Sequence, residues 1–360
     1  MKTFHCTHCQ NLIFFENVQC LHCGHALAYL PDTGDMAAMA KGPDDLWRVE
    51  GRDMYPGYRL CANYTTHQVC NWAVPSFDPE ALCQSCRLTR TIPDLSEAGR
   101  EAWFRLETAK RRLVHCLFSL GLPVNRKDAG SPEGVAFEFL SDSTSPNGDQ
   151  QRVFTGHDNG LITINIAEAD DVQRERVRVQ HHEPYRTVLG HLRHEIGHYY
   201  WDRLIQDSPG LAGFREVFGD EREDYAEALK RHYEQGPPPA WQEQYVSSYA
   251  TAHPWEDWAE SWAHFLHMTD ALETANAAGL SLQPLRPDEP VIVPSTTPTD
   301  PRVLSFNEMI ARWLPLAYVL NNLSRGLGHA DIYPFVLSPI AIGKLRFIHE
   351  TIRMNQNGGG

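Results

Sequence analysis

The stretch Tyr185-Arg186-Thr187-Val188-Leu189-Gly190-His191-Leu192-Arg193-His194-Glu195-Ile196-Gly197-His198-Tyr199-Tyr200-Trp201 decides how the rest of the chain is read. Tyr185, Val188, Leu189, Leu192, Ile196, Tyr199, Tyr200 and Leu204 give it the broad apolar face of a helix. His194 and His198 are four residues apart, so a helix turns both imidazoles to one side. Two histidines so placed can share a tetrahedral zinc ion, with Glu195 pointing beside it toward a water. The plain alternative is a charged, solvated helix face, and the bulky apolar neighbours argue against it. Gly197 costs such a helix up to about 1 kcal/mol against alanine, which suggests a close backbone approach at that point.

Such a site needs a third ligand. The spacing HExxHxxGxxH does not supply one, because Trp201 and Leu204 stand where its Gly and His would be. A glutamate from a second helix can. In Tyr249-Ala250-Thr251-Ala252-His253-Pro254-Trp255-Glu256-Asp257-Trp258-Ala259-Glu260, Pro254 suits a helix start and puts Glu256 and Glu260 one turn apart on one face. Glu256 is read as the ligand and Glu260 as the carboxylate that accepts the Nδ1 proton of a ligating histidine. The reverse assignment of the two glutamates is the alternative. Tyr249 precedes them at a distance from which its phenol could reach a reacting carbonyl. His264 and His267 continue the same helix, and they, with His191, Asp202 and Asp257, read as interior or interfacial residues.

Eight of the nine cysteines precede residue 90. Cys6-Thr7-His8-Cys9 and Cys20-Leu21-His22-Cys23-Gly24 are two knuckles of a zinc ribbon, with Gly24 suited to a left-handed turn. Cys61, Cys70, Cys83 and Cys86 are spaced less regularly but read as a second four-thiolate site. A redox role for the CxxC pairs would want a βαβ context that is missing. Histidines 5, 8, 22, 25 and 67 could substitute for a cysteine, but they read first as solvated neighbours. Cys116, alone in a helical segment, reads as a small buried apolar residue. The expectation is three zinc ions, one catalytic and two structural.

The 360 residues carry 32 Lys and Arg against 46 Asp and Glu, a net charge of −14 that leaves no electrostatic footprint for nucleic acid or an anionic membrane. Residues 1–92, with seven basic and nine acidic side chains, are no exception. That segment reads as a loop-rich unit too poor in patterned apolar residues for its own core, so metal crosslinks would stabilise it. Residues 93–354 form the second domain. They open on a long helix capped by Ser96 and stopped by Gly121, followed by strands at Val135–Leu140 and Leu161–Ile166, the latter reached through an Asn159-Gly160 turn. From Pro184 onward the pattern is mostly helical. It breaks at 208–210, 219–220 and 236–239, and six prolines make 284–301 an extended crossing. Residues 355–360 are expected as a disordered tail. Neither a signal core nor an apolar run of membrane-spanning length is visible, so a cytoplasmic protein is expected, its oligomeric state open.

The pattern Tyr249…Glu256-x-x-Ala259-Glu260 after HExxH resembles the gluzincin metallopeptidases. Nearly the whole chain resembles a bacterial family that joins an N-terminal zinc ribbon to a zinc-binding metallopeptidase domain. Cys70-Asn71-Trp72, Cys83–Arg90, His194–Asp202, Phe218–Arg222 and His253–His267 carry that resemblance. It implies an α+β architecture: a mainly helical, zincin-like catalytic domain with a small sheet, preceded by the ribbon unit. It also implies zinc on His194, His198 and Glu256, with Tyr249 stabilising the transition state. A zinc-activated water would then hydrolyse peptide bonds in a protein or peptide substrate, with Glu195 as general base. Leu161–Ile166 could be an edge strand along which such a peptide adds, or simply a structural strand. A non-catalytic adaptor, its ribbons recognising protein or nucleic acid, is the competing function. A closed four-ligand site would mark it, though Glu195 beside the metal has no purpose there.

Overall fold

The computed structural model describes residues 1–51, 56–144, 150–180, 183–289, 291 and 304–358. The chain divides into two compact units. One comprises residues 2–115 and 124–170; the other comprises residue 1 with 116–123 and 171–360. The architecture is α+β.

The first unit begins with the short antiparallel pair β1 (Phe4–His5) and β2 (Leu12–Ile13). A five-stranded antiparallel meander follows in chain order: β3 (Ala26–Leu30), β4 (Asp35–Lys41), β5 (Trp47–Val49), β6 (Tyr58–Leu60) and β7 (Ala73–Pro75), with the single-turn α1 (Ala62–Thr65) before β7. This sheet corrects the expectation of a unit without a core. Ala28, Leu30, Ala37, Met39, Val49, Tyr58 and Ala73 pack into one buried cluster. The strands Ala-Leu-Ala-Tyr-Leu and Asp-Met-Ala-Ala-Met-Ala-Lys hide it, because alanine and methionine lack the β-branched signature of strands.

A second, four-stranded sheet runs in the order β12 (Gly156–Asp158), β13 (Leu161–Asn165), β9 (Ala136–Leu140), β8 (Thr89–Thr91). The short ladder of β10 (Ser143–Thr144) and β11 (Gln150–Gln151) is separate. Asn159 and Gly160, both at positive φ, turn β12 back into β13. Strand β13 pairs antiparallel with β12 and parallel with β9, so both its edges are occupied. It is not the edge strand on which an extended peptide could add; β12 and β8 hold those places. The long helix α2 (Glu97–Ser119) starts as its sequence indicates, with the Gly99 N–H donating to Ser96 Oγ at 3.1 Å. Gly121, at φ +65°, follows its end.

In the helical unit α3 (Asp171–Gln180) is a short polar helix that its apolar pattern did not announce. Then come α4 (Val188–Leu204), α5 (Leu211–Phe218), α6 (Tyr225–Gln235), α7 (Pro254–Ala277), α8 (Phe306–Gly326) and α9 (Pro339–Gly358). The breaks fall where Ser-Pro-Gly, Gly-Asp and Gly-Pro-Pro-Pro predict them. Of the proline-rich 284–301 segment, residue 290 and everything from 292 lie outside the described residues. Residues 355–358 complete α9, contrary to the expected tail, with Asn355 Nδ2 donating to Thr351 O at 3.0 Å and Gln356 reaching the carbonyl of Leu120. Residues 359–360 lie outside the description.

Helices α4 and α7 form the centre of this unit. From Leu192 to Trp201 every residue of α4 is buried, the mark of a helix packed on all sides. Gly197 lets the two axes close: a Cβ there would lie 3.0 Å from Ala259 Cα and 3.1 Å from Trp262 Cβ. The Trp258 indole N–H then donates to the Gly197 carbonyl at 2.8 Å, and Tyr200 stacks on Trp262 with centroids 4.9 Å apart.

Candidate metal centre

Helix α4 is capped by Thr187, whose Oγ1 accepts from Gly190 N at 3.0 Å. Helix α7 begins at Pro254, with His253 as its cap accepting from Trp255 N at 3.1 Å. With the two helices in contact at Gly197, α4 delivers His194 and His198 to one point and α7 delivers Glu256 to the same point. His194 Nε2 and His198 Nε2 are 3.2 Å apart, and Glu256 Oε2 is 3.0 Å from the first and 3.5 Å from the second. Bonds of about 2.0–2.1 Å to a tetrahedral zinc would set neighbouring donors about 3.3 Å apart. The three atoms already have that spacing.

Burial and charge also call for a cation here. Glu256 is 1% exposed, and its Oε2 accepts no directed hydrogen bond among the described residues. Burial opposes its ionisation, yet His198 and His194 beside it hold its carboxyl well below the ordinary range. Burial likewise works against charge on Glu260, but the His194 hydrogen bond outweighs it and brings its pKa down to about 2. His194 pays the reverse penalty: burial disfavours its charged form, and the two glutamates nevertheless push its pKa well up. Without a metal, a proton on His194 answers two buried carboxylates; a dication answers them better, and the donor set suits zinc.

Glu260 lies on the far side of the histidine. Its Oε1 is 2.7 Å from His194 Nδ1, which fixes the tautomer and leaves Nε2 for a metal. Its Oε2 accepts from Ser247 Oγ at 2.5 Å. Tyr249, on a 3₁₀ turn (Tyr249–Thr251), sets its ring 5.9 Å from that of His194. Burial, then the charge of Glu256, raises the Tyr249 phenol pKa, so its proton is retained. Glu195 is buried on α4, and its charge adds to the upward shift of both Tyr249 and Tyr225.

Three contributors were not singled out from the sequence. Tyr225, the first residue of α6, donates its hydroxyl to Glu256 Oε1 at 2.5 Å. Trp255 lies against the His198 ring, centroids 3.7 Å apart, and Ser247 holds Glu260. Each acts through a partner distant in sequence, so no local spacing marks it, although Trp255 sits within the quoted motif. The interior histidines are accounted for: His264 Nδ1 is 2.7 Å from Tyr333 Oη and His267 Nδ1 is 2.5 Å from Arg193. Asp257 pairs with Lys344 at 2.6 Å.

The eight N-terminal cysteines gather into two clusters, Cys6-Cys9-Cys20-Cys23 and Cys61-Cys70-Cys83-Cys86, and none is in a disulfide. The sulfurs of Cys6 and Cys23 are 3.6 Å apart, as are those of Cys9 and Cys20; Cys70 and Cys83 are separated by 3.7 Å. Zinc–sulfur bonds of about 2.3 Å predict about 3.8 Å. Backbone N–H groups of Trp72, Cys83 and Cys86 point at the sulfurs of Cys70, Cys61 and Cys83 at 3.4 Å, which favours thiolates. Cys116 is buried in the helical unit, its thiol pKa pushed up by burial.

Residues 99–351 match the family described as "Putative zinc-binding metallo-peptidase". The chain belongs to this family. Residues 3–97 match a zinc-ribbon domain family. Uncharacterized proteins of Mycobacterium bovis and of two Mycobacterium tuberculosis strains are 46% identical over 354 residues, covering 98% of this chain and 95% of theirs. No solved structure matches. Zinc binding by this family member therefore rests on both family matches and on the four-cysteine clusters. No helix among the described residues is long and apolar enough to cross a membrane.

Proposed function

We propose that this chain is a zinc-dependent peptidase that hydrolyses peptide bonds in a protein or peptide substrate. One observation carries the reading: His194 and His198, on the helix that also bears Glu195, converge at zinc-donor spacing with Glu256 of α7. Zinc held by these three residues would lower the pKa of a water to about 7 and polarise a scissile carbonyl. Glu195 is the group to take the water's proton and return it to the leaving amine. Tyr249, its proton retained, donates a hydrogen bond to the oxygen on which negative charge develops. Tyr225 holds the outer oxygen of Glu256, and Glu260, braced by Ser247, keeps His194 in the tautomer a ligand requires. The clustered thiols fit a reducing, cytoplasmic setting, where CxxC groups bind metal rather than form disulfides.

The test pairs wild type with Glu195→Gln against a peptide library and a cell lysate, with zinc content measured on the same samples. Cleavage is expected to fall about 10²–10⁴-fold at unchanged zinc content. Equal cleavage by the two proteins at full zinc occupancy overturns the proposal.

A further inference from the structure

Beyond the two cysteine clusters and the helical triad, one more group of donors converges among the described residues. His8 Nδ1 lies 3.1 Å from Glu50 Oε2, and His25 Nε2 lies 2.5 Å from the same oxygen. The two imidazole rings stack with centroids 4.0 Å apart. All three donor atoms fall within one metal-sized space. Glu50 Oε2 is itself a buried atom, yet it accepts no directed hydrogen bond among the described residues. An oxygen flanked by two ring nitrogens but bonded to neither resembles the position of Glu256 Oε2 in the helical triad.

Backbone contacts hold this group in place, so it is not a chance meeting of surface side chains. His8 belongs to the first knuckle, whose Thr7 Oγ1 accepts from Ala38 N at 2.9 Å. Glu50 follows β5, and its own N–H donates to Ala38 O at 3.1 Å. His25 ends the second knuckle, its carbonyl accepting from Cys20 N at 2.9 Å. Two of the three segments are therefore tied to a single residue of β4, and the third to a cluster cysteine. The remaining nitrogen of His25, Nδ1, lies 3.3 Å from Cys23 Sγ. Donating to that thiolate fixes the tautomer and turns the Nε2 lone pair toward Glu50 and His8, the arrangement that prepares a histidine to bind metal.

We propose that His8, His25 and Glu50 form a further divalent-cation site next to the Cys6-Cys9-Cys20-Cys23 cluster. Two imidazoles and one carboxylate are a borderline donor set, suited to zinc before calcium or magnesium. The side chains are a quarter to two-fifths exposed, so a bound ion keeps a position open to solvent. His25 belongs to both sites, ligating through one nitrogen and hydrogen-bonding a ribbon thiolate through the other. Seating an ion requires the 2.5 Å His25–Glu50 contact to widen toward about 3.3 Å, the donor spacing of tetrahedral zinc. Both side chains are only partly buried, which leaves room for that movement.

The experiment measures metal stoichiometry on the full chain, equilibrated with buffered zinc, for wild type, His8→Ala and Glu50→Gln. Cobalt-substituted samples report the thiolate-to-cobalt absorption of the cysteine clusters separately. The expected result is one ion fewer per chain in each variant, with thiolate absorption unchanged. Equal stoichiometry in all three proteins overturns the proposal and leaves the trio as an ion-pair cluster. Loss of thiolate absorption along with the ion in both variants also overturns it, because the trio would then only support the ribbon. The readout is a difference between variants, so it does not depend on whether the helical triad is catalytic.

Discussion

The cysteine clusters and the helical triad use the same geometry to different ends. Around Cys61, Cys70, Cys83 and Cys86, all buried, four sulfurs gather that could fill every corner of a tetrahedral zinc site, and backbone N–H groups back them. Around His194, His198 and Glu256 the protein supplies three corners, and beside them it places a carboxylate and a tyrosine that no ligand set needs. A closed site of this kind would add to the stability of the unit that holds it; an open one would depend on a core built elsewhere. The cluster around Ala28 and Tyr58 is built largely from small side chains on three- to seven-residue strands, whereas α4 and α7 bury tryptophans, tyrosines and an ion pair around the triad. Metal loss should therefore unfold one unit and spare the other.

The largest effect tests that contrast directly. Metal binding in small zinc domains carries about 10–16 kcal/mol of what is also folding free energy. Cys83→Ser should abolish protease resistance in residues 2–115 and release an ion. His194→Ala should release an ion while the helical unit melts close to its wild-type temperature. Limited proteolysis and zinc analysis on the same samples read both. A Cys83→Ser protein as resistant as wild type breaks the comparison.

The next tests what holds the helical unit in place of metal. Lys344 Nζ contacts Asp257 Oδ2 at 2.6 Å with both side chains at most 5% exposed. Burial pushes the Asp257 pKa up to about 7 even with the lysine opposing it. Lys344→Met leaves that carboxylate uncompensated and should cost about 3–5 kcal/mol at pH 8. The loss should shrink as pH falls below 7, because a protonated Asp257 no longer needs the lysine. Denaturant melts at pH 8 and pH 5.5 measure it; equal losses at the two pH values would show that the pair matters only through packing.

The same contrast explains what could be read from the sequence. His194, Glu195 and His198 are legible because one helix carries them at fixed spacing, and Gly197 announced a close approach that Ala259 makes. Glu256 was legible because Pro254 fixes where its helix begins. The ribbon knuckles repeat a short spacing and needed no fold to be seen. The meander that follows them was missed: its first two strands are built largely from alanine and methionine, and only packing against one another makes them strands. Tyr225 and Ser247 were missed for a related reason, since each meets its carboxylate across a loop of the chain. For Leu161–Ile166 the sequence left a peptide-binding edge and a plain structural strand both open, because a strand's neighbours are a property of sheet order, which alternation of side chains does not record; the pairing with β12 and β9 decides for the second.

A smaller effect sharpens the role of Gly197. Alanine gains up to about 1 kcal/mol of helix propensity there, but its Cβ would press on backbone at Ala259, 3.0 Å away. Overpacking of this kind costs about 1–3 kcal/mol, so the net change should be a modest destabilisation. Moving α4 from α7 also separates His194 from Glu256, so zinc affinity should fall with it. Thermal melts with and without a chelator separate the two terms. A Gly197→Ala protein of higher stability and unchanged zinc affinity would remove the close approach from the account of the site.

The smallest expected effect bears on which glutamate does what. Ser247 Oγ donates to Glu260 Oε2 at 2.5 Å and accepts from Ala250 N at 3.1 Å, so it fixes the carboxylate that in turn fixes His194. Outer partners of this kind change metal affinity about 10–100-fold when removed. Ser247→Ala takes away one brace of that carboxylate and should weaken zinc binding about tenfold, or about 1.4 kcal/mol, by chelator competition. Glu260→Gln should fall further within the same range, because the amide still reaches His194 but no longer draws its proton. Glu256→Gln should exceed both, since it alters a donor. If Glu260→Gln instead loses zinc as completely as His194→Ala does, the two glutamates exchange roles, and the 2.7 Å contact with His194 Nδ1 would have to rearrange when metal binds.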